Sequence, residues 1–473
     1  MRLLSSAGSK VRRIFGDAVV DKGLARRVGV SRVPAFITEY LLSRVCQGED
    51  SVCVEKAARL IAELHPEPGD RERFLGVLKE RGEVKILDEF RVRVDLKRNL
   101  YLLQIPSLGI NDALVDNALP RTYERIFSGL WGIGVLRYTP GSAQSSRSGK
   151  VTPVTLVDFE PFQTEIVDAR SFAEAREEFT TEEWVDLLVT SIGLNPAVYS
   201  FEQKVLLLAR LIPLVEPNVN TLELGPRATG KTYVYRNLTY YSRIYAGGTV
   251  TPARLFFDAR LSVPGDLAVN DVVVFDEVSR VRFSSADEIA SKLKDYMVDG
   301  FFERGSLKRA HSTCSLVFLG NIDLEALGDA SSALSYLPSF MRDTAFLDRI
   351  HGFIHGWELP KIMESGKHLA SGYGLASDYL AEVMHRLRSE SFDGLVQDHV
   401  ELVGQYTIRD EKAVRKLVSG ALKLIYPNGS IERAVLQRVV NLVIDLRNNV
   451  VRLLTALSPS EYPAKKLSAV VRA

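Results

Sequence analysis

At 473 residues the chain is too long for one compact core, and with 46% apolar and 25% charged residues it has the balance of an ordinary soluble, multidomain globular protein. The net charge of +1 excludes a uniformly basic or acidic polyelectrolyte, and three cysteines (Cys46, Cys53, Cys314) without a CxxC pair exclude a disulfide framework and a zinc ribbon, pointing to a reducing cytoplasm. No apolar run is long enough to cross a bilayer, and the opening MRLLSSAGSKVRRIFGD lacks the apolar centre of a secretory signal.

Charge is unevenly spread. Residues 1–32 hold eight Lys/Arg against Asp17 and Asp21, a local excess of six positive charges that makes Lys10, Arg12 and Arg13 candidate contacts to a polyanion. Residues 33–65 show helical spacing of Leu, Val and Ile, broken near Gly48. Then the period becomes two: VKILDEFRVRVDL (84–96), NLYLLQIPSL (99–108), WGIGVLRYTP (131–140) and VTPVTLVDFEPF (151–162) read as strands of a small barrel-like domain. GSAQSSRSGK (141–150) reads as the exposed loop between the last two. Trp131 and Tyr138 offer a base-stacking face or, more simply, core packing.

A helix restarts at FTTEEWVDLLVTSIGL, with Thr180 or Thr181 as N-cap. From Glu216 short apolar strands alternate with helices, the pattern of a parallel α/β sheet, and after Trp357 the chain is almost wholly helical to Leu457. The expected organisation is an α+β N-terminal DNA-binding region (1–175), an α/β core (176–357), an all-α lid (358–457) and a tail (458–473).

The chemistry concentrates in the α/β core. Gly225-Pro226-Arg227-Ala228-Thr229-Gly230-Lys231-Thr232 fits GxxxxGK[ST] between a strand and a helix, so backbone N–H groups, Lys231 and the Thr232 hydroxyl are placed for nucleotide phosphates and Mg²⁺. About 40 residues on, DVVVFDE (271–277) is a buried strand ending in Asp276, a second Mg²⁺ group, and Glu277, which suits activation of water and so favours hydrolysis over phosphotransfer. The strand SLVFLGN (315–321) ends in Asn321, an amide that orients the water. FLDRI (346–350) supplies Arg349 as an arginine acting on a neighbouring subunit's γ-phosphate, with Arg342 as competitor and a surface pair with Asp348 as the plainer reading. Arg415, in IRDEKAVRKLVSGALKL, is expected to reach the phosphates from the lid. His351 and His355 have metal-like spacing, but the flanking glycines favour a strand.

Between the acidic pair and Asn321, FFER–GS–LKRA reads as a hairpin presenting Arg304, Lys308 and Arg309 to a polyanion such as duplex DNA, gripped through its phosphates. Phe256 and Phe257 are the competing grip for a threaded polypeptide.

The ordered set of phosphate loop, acidic pair, polar strand end, arginine and helical block resembles the AAA+ ATPases, and the hairpin resembles that of the MCM-like branch. More specifically, LELGPRATGKTYVYRNLTYYSRIYAGGTVTPARLFFDAR, VVVFDEV, LKDYMVDGFFERG, VFLGNI and LDRIHGFIHGWELPK, with VPAFITEYLL, VDLKRNLYLLQIPSLGI and GLWGIGVLRY, resemble the BrxL family of Lon-like AAA+ proteins from BREX anti-phage systems. The resemblance implies an ATP- and Mg²⁺-dependent cytoplasmic ring, hexameric or as paired rings, that encircles DNA and works with other BREX components. A protein-remodelling unfoldase or a nucleotide-gated scaffold are the alternatives. Many members continue into a protease domain with a Ser–Lys dyad; sixteen residues follow Leu457 here, so no proteolysis is expected.

Overall fold

A computed structural model describes residues 2–28, 33–45, 51–96, 98–127, 129–140, 151–162, 167–260, 263–305, 307–323 and 330–472. Cys46 and the loop at 141–150 lie outside them. The chain forms two compact units: Gly23–Glu165, and Met1–Lys22 together with Ile166–Ala473. This division differs from a single N-terminal domain over 1–175, because the first residues fold with the α/β part.

In the smaller unit, strands β1 (Glu83–Asp95), β2 (Leu100–Ile105), β3 (Ile110–Val115), β4 (Leu130–Tyr138) and β5 (Val154–Pro161) close into a barrel in the order β1-β2-β3-β5-β4. Pairing is antiparallel except between β3 and β5, which run parallel. Closure leaves no edge strand to aggregate. The glycines of WGIGV have a packing cause: a Cβ at Gly132 would lie 2.7 Å from the Phe159 ring, and one at Gly134 would overlap the Phe90 ring. Trp131 is half-buried against His65 (5.8 Å between ring centres), and Tyr138 packs on the barrel core. Cys53 takes part in a disulfide, a single bond and not a framework, whereas Cys314 is a buried free thiol.

The larger unit opens with α1 (Arg2–Phe15). Val11 is buried, and Phe15 stands 6.3 Å from both Phe172 and Phe179 and 6.4 Å from Trp184. Val19–Asp21 then pairs antiparallel with Tyr373–Leu375. Helices α2 (Thr181–Ser191) and α3 (Phe201–Ala209) follow; Thr180 caps α2 in a capping box with Glu183.

Next come β6 (Asn220–Gly225), α4 (Lys231–Asn237), β7 (Ser242–Val250), β8 (Val272–Phe283), α5 (Ala286–Asp299), β9 (Phe301–Arg304), β10 (Leu307–His311), β11 (Ser315–Asn321) and β12 (Gly352–His355). Five of these strands form a wholly parallel sheet in the order β12-β6-β11-β8-β7. Buried on both faces, they read as continuous apolar runs such as VVVF. Helices α6 (Ile408–Ile425) and α7 (Arg433–Leu457) complete the apolar core. Parallel order brings every carboxyl end to one edge, where open α/β sheets bind ligands.

Candidate nucleotide site

The residues singled out in the phosphate motif, the acidic pair and the polar strand end meet at that edge. Asn321 is in register with Gly225, the first residue of the phosphate loop. The Ile322 N–H donates to the Gly225 carbonyl at 3.2 Å. The Thr232 hydroxyl donates to Asp276 Oδ2 at 3.0 Å, while Asp276 Oδ1 accepts the Glu277 N–H at 3.0 Å. A hydroxyl and a carboxylate so close, both hard oxygen donors, fit Mg²⁺.

The loop is tightly wound. Ala228 (φ +63°) and Gly230 (φ +77°) both occupy the left-handed region, and Glu277 does so at φ +50° inside a strand. For residues other than glycine this conformation costs about 1–2 kcal/mol each, and such strain concentrates at functional sites. Gly225 faces Gly356 so closely that a Cβ would lie 2.7 Å from the Gly356 Cα. The buried Lys231 ammonium donates to the carbonyls of Gly225 (3.0 Å) and Pro226 (2.6 Å). Burial lowers its pKa, and the carboxylates of Glu223 and Asp276 oppose that shift. Arg227 is exposed on the loop. Glu277 receives an exposed ion pair from Arg280 at 3.1 Å.

Arg349 is elsewhere. Its carbonyl accepts from the Asn220 side chain at 3.2 Å, placing it at the amino end of β6, about 16 Å along the strand from Gly225 at 3.3 Å per residue. It does not pair with Asp348, whose carboxylate is taken by Arg447 (2.8 Å) and by Arg409. The Arg349 guanidinium instead donates to the Ala345 carbonyl, while Arg342 is exposed.

Arg415 is also at the far end. It pairs with Glu411 on its own helix at 2.8 Å, and the next residue, Lys416, donates to the Pro217 carbonyl at 2.6 Å, ahead of β6. The lid helix therefore packs against the entrance of β6 rather than over the phosphate loop. The segment that does reach the loop is the one after β12: the Ile362 N–H donates to the Ala228 carbonyl at 2.7 Å.

Outside the nucleotide site, the basic candidates divide. β9 and β10 pair antiparallel, Phe301 with His311 and Arg304 with Leu307, as the hairpin reading requires. Lys308 and Arg309 are exposed, with Arg309 4.6 Å above the Phe301 ring. Arg304 is not available at the tip: its guanidinium donates to the Phe257 carbonyl and is only 23% exposed. Lys10 is likewise engaged, with Glu183 at 2.8 Å and the Phe179 ring at 4.7 Å. Arg13 pairs with Glu178 at 3.4 Å, and Arg12 is exposed beside Tyr373. Phe256 and Phe257 are 0% and 8% exposed and belong to the core, which removes the aromatic grip from the polypeptide-threading alternative. His351 precedes β12, accepts the Asn220 N–H at 2.9 Å on Nδ1, and has its pKa pushed down to about 3, first by burial. A neutral acceptor in a backbone bond is no metal ligand. No group of three or more metal-ligating side chains occurs among the described residues.

The comparison with known proteins decides the family. Residues 154–468 match the family described as "Lon-like protease BrxL-like, ATPase domain", and residues 13–138 match "BREX system Lon protease-like protein BrxL N-terminal". This chain belongs to the BrxL family. Over 456 residues, 95% of the chain, it is 34% identical to the Lon-like protease BrxL of Escherichia coli O9:H4 (strain HS), covering 64% of that protein. Over 462 residues, 96% of the chain, it is 31% identical to the Lon-like protease BrxL of Bacillus cereus (strain H3081.97), covering 67%. The chain thus spans about two thirds of the length of these BrxL relatives. A weaker match, 26% over 190 residues, is to "Uncharacterized protein 440" of Sulfolobus islandicus rod-shaped virus 1, covering 35% of this chain and 42% of that protein. No described helix is long and apolar enough to cross a membrane.

Two features of the site escape motif reading. The fully buried Arg210 and the 2%-exposed Glu223 form an ion pair beneath the phosphate loop, and Arg447 sits at the centre of a second buried network behind Arg349. Their signal was a charge inside an apolar run (LLLARLIPL, NTLEL, LVIDLRNNVV), which folding tolerates only when it is paired.

Proposed function

We propose that the chain is an Mg²⁺-dependent ATPase that works as a ring on DNA in BREX-type phage defence. The observation that carries the ATPase reading is the Thr232–Asp276 bond at 3.0 Å beside Glu277, with Asn321 in register with the loop. Lys231 leaves the Gly225 and Pro226 carbonyls for phosphate oxygens, a near-equal exchange of acceptors for a desolvated ammonium. Glu277 takes the proton of the attacking water, and the Asn321 amide orients that water. Thr232 and Asp276 would hold Mg²⁺, which would supply neutralisation of the phosphate charge when bound.

Distance supports the ring. Arg349 lies at the opposite edge of the sheet from its own loop, so in this reading it serves a γ-phosphate on an adjacent copy; the exposed Arg342 is the alternative donor. In the DNA reading, Lys308 and Arg309 at the hairpin are the phosphate contacts, and Arg304 is the strut that holds the hairpin to Phe257.

Two experiments test the two halves. Mixing Arg349→Ala with Glu277→Gln subunits should restore turnover at sites that pair an intact arginine with an intact glutamate. A mixture no more active than its parts refutes the assignment to the neighbour. Lys308→Ala/Arg309→Ala should flatten the salt dependence of duplex binding by about two units of slope per engaged hairpin while assembly persists. Unchanged affinity and slope remove the hairpin from DNA binding.

A further inference from the structure

Beneath the phosphate loop, one residue touches every part of the strand–loop–helix unit. Arg210 follows α3 and is fully buried. Its Nε donates to Glu223 Oε2 at 3.0 Å and one terminal nitrogen to Oε1 at 2.6 Å, a bidentate pair with the middle of β6. The other terminal nitrogen donates to the Thr229 carbonyl at 2.9 Å. Arg210's own carbonyl accepts the Tyr235 hydroxyl from α4 at 2.7 Å. Gly356 makes room for the carboxylate, since a Cβ there would lie 2.8 Å from Glu223 Oε1.

The Thr229 contact has a directional consequence. Thr229 lies between the two left-handed residues Ala228 and Gly230. In a planar trans peptide the carbonyl and the next N–H point opposite ways. Holding the Thr229 oxygen down toward Arg210 therefore turns the Gly230 N–H up, into the concave side of the loop where a phosphate sits. Packing alone does not explain a charged pair here, because well-packed apolar replacements of buried ion pairs are often neutral or stabilising.

We propose that Arg210, braced by Glu223, is a positioning residue for nucleotide: it fixes the outward N–H of the phosphate loop through the Thr229 carbonyl. The proposal rests on the ATP-binding reading above. It predicts that phosphate affinity follows the hydrogen-bond geometry of the pair and not the stability of the core.

The test is binding of a fluorescent ATP analogue with Mg²⁺, alongside thermal melting, for the parent, Lys231→Ala, Arg210→Lys and Arg210→Met/Glu223→Leu. A lysine at 210 holds Glu223 or Thr229, not both. It should raise the Kd and the KM about tenfold, the worth of one charge-assisted hydrogen bond, with a smaller change in kcat and a near-parental melting temperature. The apolar pair should melt near the parent and bind still more weakly. Parental affinity in either folded variant overturns the proposal; if the apolar pair fails to fold, Arg210→Lys alone decides. Equal binding by the parent and Lys231→Ala would sink the ATP-site reading itself. Loss in Lys231→Ala with no change at Arg210 sinks only this inference.

Discussion

Replacing Arg447 by methionine removes the centre of the network that ties the lid to the arginine-bearing turn. Arg447 is fully buried on α7; it donates to Asp410 Oδ1 (2.9 Å), Asp348 Oδ1 (2.8 Å) and the carbonyls of Asp348 (3.1 Å) and Ile350 (2.6 Å). Methionine conserves much of the volume, so the loss is electrostatic. Two carboxylates, 8% and 2% exposed, keep Arg409 and Lys465 as their cationic partners, and Asp410 keeps the Thr407 N–H and hydroxyl. Breaking a buried pair costs about 3–5 kcal/mol, and the remaining cations place this case near the lower figure, roughly 3 kcal/mol. For a unit of about 330 residues, with an unfolding entropy of about 2.1 cal/mol/K per residue, that corresponds to a melting temperature lower by roughly 4 °C. A pH signature distinguishes this cause from a cavity. Burial alone would raise the Asp410 pKa, yet Arg447 and Lys465 hold it down at about 2. That folded value lies below the unfolded one of about 3.9, so its contribution is complete above pH 4 and disappears as the pH falls toward 2. The deficit of Arg447→Met should accordingly shrink over that window. Differential scanning fluorimetry between pH 7 and pH 3 reads both effects. A variant melting within 2 °C of the parent, or a deficit indifferent to pH, would refute the reasoning.

Ala228 is strained where glycine is free, but glycine also gains unfolded-state entropy. Ala228→Gly should therefore leave stability within about 0.5 kcal/mol and ATP turnover intact, whereas Ala228→Val, β-branched at positive φ, should lose both by fluorimetry and phosphate release. Gly134→Val should destabilise the barrel by about 2–3 kcal/mol through overlap with Phe90, seen as a lower urea midpoint. His351 is held neutral, its folded pKa of about 3 lying below the unfolded 6.5; its contribution is complete above pH 6.5 and is lost as the pH falls toward 3, about 2 kcal/mol by pH 5. His351→Gln should flatten the stability profile between pH 6.5 and pH 5.

The parts of the site legible in the sequence are those where chemistry dictates local order. Glycine and lysine around a phosphate, and carboxylates or an amide at the ends of apolar strands, sit within a few residues of their partners' sheet positions; the parallel register then brings Gly225, Asp276 and Asn321 together without further information. Period-two alternation foreshadows the barrel, although its strand order depends on pairings between distant segments, β1 with β4 above all. What stayed hidden depends on long-range partner choice. Lys10 looked like a free cation because nothing local to it is acidic; Glu183, 173 residues away, is its partner. Arg304 read as a tip residue because its acceptor, the Phe257 carbonyl, is 47 residues distant. The position of Arg415 in a helical block points toward the phosphates, whereas Lys416 and Lys423 of the same helix bind carbonyls ahead of β6.

The most direct measurement is a single turnover of radiolabelled ATP by Glu277→Gln, with nucleotide binding followed in parallel. Retained ATP, bound with near-parental affinity in the presence of Mg²⁺ and released unhydrolysed, is the predicted result. Parental hydrolysis by this variant would contradict the assignment of Glu277 as the base, and with it the catalytic site built around Lys231, Thr232 and Asp276.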